Sequence, residues 1–314
     1  MIVGHERVKK FLQRILENQS PIHGFLFFGP SEVGKLMTAV EFAKGFLCEK
    51  LGLGGCGKCL SCQEFKKLSR SRDLFLLSRE EGIAYGIDEV RRVTNFLLSR
   101  PQLSSRKVVI IDEADELTPE AQNALLKTLE EPLGDSALIL VTAKPSRLYP
   151  TVRSRLTAIP FRRLRQKEII EFLLENNVPE TKAKEIASLS FGRPGRALAL
   201  WENPDECVQE EKLIATLASL LEKDIVDQFT FAQNMDRDVS KVFSLWQIVL
   251  RDQLLALLGL ENFSWLDSRH LAAKSLDARR LVKTLQQCLA ASLRAEDTNA
   301  NKRLLMENLF LATK

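Results

Sequence analysis

The sequence predicts an α/β domain at the N-terminal end of the chain, followed by helices alone. Up to about residue 161, short apolar runs alternate with stretches of helical period, which is the pattern of a parallel sheet covered on both faces. From Arg165 onward the short apolar runs stop and helical periodicity continues. A glycine-containing loop after the first apolar run and a cluster of cysteines add two candidate sites to this domain.

Five short apolar segments are predicted as the strands of the sheet. Val108–Ile111 is the clearest, because charged residues flank a four-residue apolar run that suits a strand buried on both faces. The predicted strands are Phe25–Phe28, Leu74–Leu77, Val108–Ile111, Ala137–Val141 and Thr157–Phe161.

Helices are predicted between and after these strands. One begins near Leu36, and Ile87–Leu98 carries apolar residues at helical spacing. Thr118 and Pro119 are typical of a helix start, with threonine as the N-cap and proline in the first turn, and Pro132 ends that helix. Beyond the sheet the predicted helices are Gln166–Asn177, Glu180–Ser190, Arg196–Trp201, Lys241–Leu258, Asp277–Leu293 and Leu304–Ala312.

Three domains are predicted from this change of pattern. The sheet domain covers 1–161 and contains a cysteine insert over 48–62, and a small three-helix unit follows over 162–205. The segment Glu202–Asp205 contains Asn203 and Pro204 and is typical of a linker. A separate helical domain over 206–314 completes the chain.

The composition is that of an ordinary globular protein, with 45% hydrophobic and 27% charged residues. A net charge of +4 permits contact with nucleic acid without requiring it. No apolar run approaches the roughly 20 residues of a membrane span, and the N-terminus lacks the apolar core of a signal peptide. We therefore expect a cytoplasmic protein with no membrane partner.

Gly29 to Lys35, with the sequence GPSEVGK, has the spacing of a phosphate-binding loop. In such loops backbone N–H groups and a helix N-terminus surround phosphate oxygens, and the lysine ammonium neutralises their charge. Gly29, Gly34 and Lys35 supply this pattern, but the next residue should be Ser or Thr, whose hydroxyl holds magnesium. That residue is Leu36. Binding of ATP with magnesium is therefore left open.

Two carboxylates follow the predicted strand Val108–Ile111. Asp112, at the end of a strand beside the loop, can hold hydrated magnesium, and Glu113 can orient water for attack on the γ-phosphate. Acidic turns after strands are common, so the pair alone is a weak signal. The phosphate loop about 75 residues upstream strengthens it.

Four of the six cysteines cluster with the spacing C-x7-C-x2-C-x2-C: Cys48, Cys56, Cys59 and Cys62. In a reducing cytoplasm such clusters rarely form disulfides. Four thiolates at these spacings can close on one zinc ion and leave no open position for catalysis. We predict a structural zinc site, and the alternative is four unrelated thiols in a loop.

The chain resembles bacterial DNA polymerase III clamp-loader subunits of the AAA+ class in the order of its motifs. These are Val3-Gly4-His5, GPSEVGK, the cysteine insert, VVIIDEADELTPEAQNALLKTLEEP and VRSRL. The fourth motif is the most specific, because QNALLK through EEP resembles the signature helix of that family. The resemblance implies an AAA+ parallel-sheet module with a zinc-binding insert, a small helical lid, and a C-terminal helical collar through which five subunits form a ring.

Three departures from the ATP-hydrolysing gamma/tau motor subunits point to a member that does not hydrolyse ATP. Leu36 removes the magnesium hydroxyl, and Ala143 lies where motor subunits carry a polar group that senses the γ-phosphate. Gly195 takes the place of a phosphate-sensing arginine. Arg196 follows it directly, and an alignment shifted by one residue would give that role to Arg196.

One catalytic element of the family is retained. Ser154-Arg155-Leu156 resembles the Ser-Arg-Cys motif, whose arginine reaches into the nucleotide site of a neighbouring subunit. A guanidinium placed on the developing charge of phosphoryl transfer can raise the rate roughly 10³–10⁵-fold. Without the resemblance, Arg155 would be interpreted as an ordinary surface arginine.

The resemblance therefore implies a scaffold subunit that supplies Arg155 to a neighbouring ATPase. It implies gamma/tau and delta subunits as partners in a heteropentamer that places the sliding clamp on primed DNA. The alternative is a gamma/tau-like motor, because Lys35, Asp112 and Glu113 are all retained. A third and weaker hypothesis makes the cysteine loop a DNA contact.

Overall fold

The computed structural model describes residues 3–20, 22–68, 71–78, 84–131, 134–233, 239–266, 271, 277–297 and 302–312. Within them the chain divides into two compact units. The first comprises Met1–Glu168 with Arg193–Gly195, and the second comprises Ile169–Gly192 with Arg196–Lys314. Pro132, predicted to end a helix, lies outside the described residues. The finer division at residues 161 and 205 stays a prediction.

A five-stranded parallel sheet forms the centre of the first unit, in the order β2-β3-β4-β1-β5. Phe25 on β1 lies opposite Ile139 of β4 on one side and Thr157 of β5 on the other. The parallel sheet is confirmed, and each strand lies within one residue of its predicted bounds. The strands are β1 (Gly24–Phe28), β2 (Leu74–Leu77), β3 (Lys107–Ile111), β4 (Ser136–Thr142) and β5 (Thr157–Pro160).

Helices cover both faces of this sheet. They are α1 (Glu6–Glu17), α2 (Lys35–Phe46), α3 (Leu60–Leu68), α4 (Ile87–Leu98), α5 (Pro119–Glu130) and α6 (Pro150–Arg153). The predicted start of α5 is confirmed, since Thr118 Oγ1 accepts the N–H of Ala121 at 3.2 Å. The sequence analysis missed α1, although Leu12, Ile15 and Leu16 have helical spacing and are buried.

Alternation along the strands divides the apolar core into two layers. Phe25 and Phe27 point toward α1 and α2, whereas Leu26 packs with α4, α5 and α6 on the other face. Val108–Ile111 is fully buried, as predicted for a strand covered on both faces. Because the strands are parallel, the loop after β1 and the carboxylates after β3 emerge at the same edge of the sheet.

The second unit is helical throughout its described residues. Its core includes Trp246 packed on Phe310, with ring centroids 5.0 Å apart. The predicted linker over Glu202–Asp205 is wrong, because Pro204 begins a helix and proline is tolerated in the first turn. The remaining helices are α7 (Gln166–Glu175), α8 (Glu180–Ser190), α9 (Pro194–Glu202), α10 (Pro204–Leu220), α11 (Ile225–Gln233), α12 (Val239–Leu257), α13 (Ala278–Asp297) and α14 (Lys302–Ala312). Across the described part of the chain, none of the helices combines the length and apolarity needed to cross a bilayer.

Candidate functional site

The loop between β1 and α2 has the backbone that its glycine spacing predicts. Gly29 and Gly34 have φ angles of 145° and 94°, which glycine adopts with little strain. A Cβ on Gly29 would lie 2.3 Å from the carbonyl oxygen of Phe161, the residue that follows β5. Position 29 therefore requires glycine for space as well as for conformation, and the loop lies tightly against the sheet edge.

Lys35 turns its ammonium group back onto this loop. Its Nζ donates to the carbonyl oxygens of Gly29 at 2.8 Å and Pro30 at 2.6 Å, and the side chain is buried. Burial lowers the pKa of Lys35, while the charges of Asp112 and Asp115 act in the opposite direction. The structure thus brings the predicted cation of the loop close to the carboxylates that follow β3.

Asp112 lies at the end of β3 and is half-buried. Its Oδ1 accepts the N–H of Glu113 at 3.0 Å. Burial raises the pKa of Asp112, while the Glu113 N–H and the nearby Lys35 ammonium act in the opposite direction. Glu113 has a φ of 48° and an exposed side chain. Asp112 and Lys35 are therefore neighbours, as the sequence predicts for the metal and phosphate ends of a nucleotide site.

Leu36 packs its side chain against the apolar layer on the α1 and α2 face of the sheet. Among the described residues of the first turn of α2, Thr38 carries the one hydroxyl, and it donates to the carbonyl oxygen of Gly34 at 2.8 Å. The position that normally supplies a magnesium ligand is thus occupied by a hydrocarbon side chain.

The two predicted phosphate-sensing positions carry no cation or hydroxyl of their own. Ala143 is exposed at the end of β4, and the hydroxyl before it, on Thr142, bonds to Asp115. Gly195 instead donates its N–H to the carbonyl oxygen of Glu32, within the phosphate loop, at 3.0 Å. The segment Arg193–Gly195 accordingly belongs to the first unit.

Arg196 is engaged within the second unit. It pairs with Glu210, donates from Nε to the carbonyl oxygen of Leu189 at 3.1 Å, and lies over the ring of Phe191. Its proposed phosphate-sensing role stays a hypothesis. The sequence analysis missed Arg193, whose Nη1 lies 3.7 Å from Glu32 in the loop. The sequence signal that could have found Arg193 is its position two residues before Gly195, in the segment Gly192-Arg193-Pro194-Gly195.

Arg155 lies at the surface of the first unit, two residues after α6. Its side chain is 37% exposed, its Nη1 donates to the carbonyl oxygen of Thr151 at 2.9 Å, and its Nη2 lies 2.5 Å from Glu130 Oε1. Glu130 is the last residue of α5. The sequence analysis did not single out Glu130, although it belongs to the signature helix that carries the family resemblance.

The four clustered cysteines come together in space. The Sγ atoms of Cys48, Cys56, Cys59 and Cys62 all lie within 4.8 Å of one another, and Cys48 and Cys59 are 3.9 Å apart. Four thiolates at about 2.3 Å from one zinc ion would lie about 3.8 Å from each other. A Cβ on Gly55 would lie 2.6 Å from the Cys62 sulfur, so glycine is required where the loop closes on the cluster.

Backbone N–H groups point at two of these sulfurs. The N–H groups of Lys58 and Cys59 donate to Cys56, each at 3.4 Å, and the Cys56 N–H donates to Cys48 at 3.2 Å. The first two bonds lower the pKa of Cys56 to about 6, whereas burial raises the pKa of Cys62 to about 12. All four thiols are free, so the cluster can bind a metal ion through sulfur.

Comparison with known protein families finds one family whose sequence model matches this chain. The model of the family described as "DNA polymerase III, delta subunit" matches residues 4–165, which is just over half of the chain. That span holds the phosphate loop, the cysteine cluster and Arg155. The chain belongs to this family.

Its relatives include two delta' subunits of DNA polymerase III. The chain is 40% identical to the delta' subunit of Pseudomonas aeruginosa, over 42% of this chain and 41% of that protein. It is 28% identical to the delta' subunit of Bacillus subtilis over 97% of this chain and 94% of that protein. The tau subunit of Bacillus subtilis is 34% identical, over 54% of this chain and 30% of tau. The near full-length similarity is thus to a delta' subunit.

Proposed function

We propose that this chain is a delta'-type clamp-loader subunit that does not hydrolyse ATP. The observation that carries the proposal is Leu36, which takes the place of the magnesium-binding hydroxyl and packs, partly buried, against the apolar core. The near full-length similarity to the delta' subunit of Bacillus subtilis supports the same conclusion.

In this proposal the first unit is an AAA+ module whose nucleotide site has lost its metal ligand. Gly29, Gly34 and Lys35 would hold phosphate, Asp112 would hold magnesium, and Glu113 would orient water. With a hydrocarbon at position 36, magnesium would keep water in place of a protein oxygen, so any bound nucleotide would be held weakly. The helices after residue 162 would form the lid, and those after residue 206 the collar.

The cysteine cluster would hold a structural zinc ion. Zinc accepts four thiolates in a tetrahedron, and the sulfur distances of this cluster suit that arrangement. Four protein ligands leave no position for substrate or water, so the ion would stabilise the insert between α2 and α3. Tetrahedral sets of four sulfur ligands hold zinc or iron–sulfur centres, and four cysteines with close spacing are a common structural zinc set.

The chemical contribution of the chain would be Arg155, which would complete the ATP site of an adjacent gamma/tau subunit. The partners would be gamma/tau and delta subunits in a heteropentamer that loads the sliding clamp onto primed DNA in the cytoplasm. A surface guanidinium with exposed donors suits a contact in trans.

ATP hydrolysis by the purified chain with magnesium tests the first part. We expect no turnover above that of Lys35→Ala, because the site lacks its metal ligand. Turnover of roughly 0.1 s⁻¹ or more that Glu113→Gln abolishes would instead make the chain a gamma/tau-like motor, since phosphoryl transfer at that rate needs an organised site.

The reconstituted complex tests the second part. Arg155→Ala should strongly lower its DNA-stimulated ATPase, while Arg153→Ala provides a matched control. Arg153 is also an exposed arginine, two residues away and at the end of α6. Equal activities of the two variants would argue against the trans role.

A further inference from the structure

We propose that Glu130 is the positioning residue of Arg155: its carboxylate holds the guanidinium in the orientation from which it reaches a neighbouring chain. The inference rests on the trans role proposed above and deepens it. Glu130 Oε1 lies 2.5 Å from Arg155 Nη2, and the carbonyl oxygen of Thr151 accepts from Nη1 at 2.9 Å. Two acceptors therefore fix the plane of a side chain that otherwise has many rotamers.

The geometry leaves the guanidinium able to bind an anion. Arginine carries five N–H donors in one plane, and among the described residues two of its nitrogens, Nη1 and Nη2, contact Thr151 and Glu130. Donors beyond these two contacts remain for phosphate oxygens, and planar paired contacts are the arrangement in which arginine binds phosphate best. The carboxylate thus orients the group without using up its donors.

The helix end that carries Glu130 is anchored to the sheet. Leu129, the residue before it, is buried, and its carbonyl oxygen accepts from His23 Nε2 at 3.1 Å. His23 directly precedes β1, and its own carbonyl oxygen accepts the N–H of Leu138 on β4. Glu130 therefore extends from a backbone that the paired strands β1 and β4 hold in place.

The segment that carries Arg155 is anchored at the same strand. A Cβ on Gly24, the first residue of β1, would lie 3.0 Å from Leu156 Cδ2, 3.3 Å from the Arg155 carbonyl oxygen and 3.6 Å from Leu129 Cδ2. Glycine at this position lets both segments approach the strand. Leu129 and Leu156, the neighbours in sequence of Glu130 and Arg155, thus both place a side chain beside Gly24.

A buried glutamine joins α5 to the segment that leads to Arg155. Gln122 Oε1 accepts the N–H of Tyr149 at 2.7 Å, and its Nε2 donates to the carbonyl oxygen of Arg147 at 3.2 Å. The side chain is 3% exposed, so these bonds are shielded from water. Together with the contacts at Gly24, they join α5 and the Arg155 segment at two places.

An exposed ion pair contributes little to folding, and this one is exposed on both sides, at 37% for Arg155 and 51% for Glu130. Removing the Glu130 charge should therefore leave the fold unchanged. Removing the charge should instead lower the fraction of time that Arg155 spends in a productive orientation. The rate of ATP hydrolysis at the neighbouring site depends on that fraction.

The test uses the reconstituted complex with motor subunits whose own trans-acting arginines are substituted, so that the remaining DNA-stimulated ATPase depends on Arg155. Glu130→Gln removes the charge and keeps the shape, Glu130→Asp keeps the charge, and Glu131→Gln is the matched control at the next exposed carboxylate. Arg155→Ala in the same complex tests the trans role itself.

We expect Arg155→Ala to lower kcat by roughly 10³-fold or more. Glu130→Gln should lower kcat about two- to fivefold at unchanged KM, the range that an exposed ion pair gives. Glu130→Asp should retain more activity than Glu130→Gln, and the difference between Glu130→Gln and the unaltered chain should shrink at high salt, which screens the pair. Thermal unfolding of Glu130→Gln should match that of the unaltered chain.

The outcomes separate this inference from the function on which it rests. If Arg155→Ala lowers activity and Glu130→Gln does not, the trans role stands and the positioning role is wrong. A faster Glu130→Gln would show that the carboxylate holds Arg155 away from its target, which also overturns the inference. Equal effects of Glu130→Gln and Glu131→Gln would reduce it to a general charge effect. An unchanged Arg155→Ala would refute both.

Discussion

Gly29→Ala should destabilise the first unit more than the same change at Gly34. Both glycines lie in the phosphate loop with positive φ angles, 145° and 94°. They differ in their surroundings, because a Cβ at position 29 would lie 2.3 Å from the Phe161 carbonyl oxygen, whereas position 34 has nothing within 4 Å. The pair therefore separates backbone strain from steric overlap in one loop.

The expected magnitude follows from these two terms. Forcing a residue with a Cβ into such a backbone conformation costs roughly 1–3 kcal/mol, and both variants share this cost. Gly29→Ala alone also places its Cβ against a fixed neighbour, because the Phe161 backbone is hydrogen-bonded to Phe28 on β1. Such overpacking costs roughly 1–3 kcal/mol more. The free energy of unfolding of Gly29→Ala should thus be about 1–3 kcal/mol below that of Gly34→Ala.

Urea denaturation measures this difference if the two units are followed separately. The three tryptophans, Trp201, Trp246 and Trp265, all lie in the second unit, so their fluorescence reports on that unit. Hydrogen exchange of peptides from β1 and β3 reports on the first. We expect the urea concentration at which the β1 and β3 peptides lose protection from exchange to fall in both variants, and to fall further in Gly29→Ala. The urea midpoint of the tryptophan fluorescence transition should stay unchanged.

Equal destabilisation by the two alanines would refute this reasoning, because the contact with Phe161 would then contribute nothing. A shift of the tryptophan transition in Gly29→Ala alone would also count against it, since the overlap lies within the first unit. Circular dichroism of both variants before denaturation checks that each one folds.

Two further predictions concern the carboxylates and the cysteines. Because burial raises the pKa of Asp112, the folded state binds a proton there more tightly than the unfolded state, so its stability falls as pH rises from the unfolded value of about 3.8 through the raised value. Asp112→Asn should therefore raise the free energy of unfolding by roughly 0.5–2 kcal/mol at pH 7, and should leave it unchanged below about pH 3.8. Urea denaturation measures both values, and an equal increase in the free energy of unfolding at the two pH values would contradict this prediction. If the cysteine cluster holds the proposed zinc ion, treatment with a chelator, or the change Cys59→Ser, should speed hydrogen exchange in α3 and in the 48–62 segment without shifting the tryptophan transition. Unchanged exchange in that segment would mean that no metal stabilises it.

The sheet was predictable from short segments because each strand is an apolar run between polar flanks. The inner strands β1, β3 and β4 are buried on both faces and need such a run. The edge strands β2 and β5 are partly exposed, yet their short runs also placed them to within a residue. The linker prediction failed at Pro204, since proline is equally suited to a turn and to the first turn of a helix. Helix α3 was missed because it is short and directly follows a segment rich in cysteine and glycine, which is typical of a loop.

Part of the candidate site was predictable for a similar reason. Lys35 and Asp112 follow two parallel strands, and the carboxyl ends of parallel strands meet at one edge of the sheet. By contrast, Arg193 near Glu32 and Glu130 beside Arg155 could not be predicted. These pairs join segments far apart in the chain, and no local spacing indicates them.

The sequence by itself determined the fold class, the phosphate loop, the missing hydroxyl at Leu36 and the set of four cysteines. Each of these depends on residue types at short, fixed spacings along the chain, and such spacings do not depend on how the chain packs. The tertiary structure alone decided that Arg196 pairs with Glu210 and that Arg155 is held by Glu130. Those partners depend on how distant segments pack, because an arginine side chain has many rotamers and binds the acceptor that packing places within its reach.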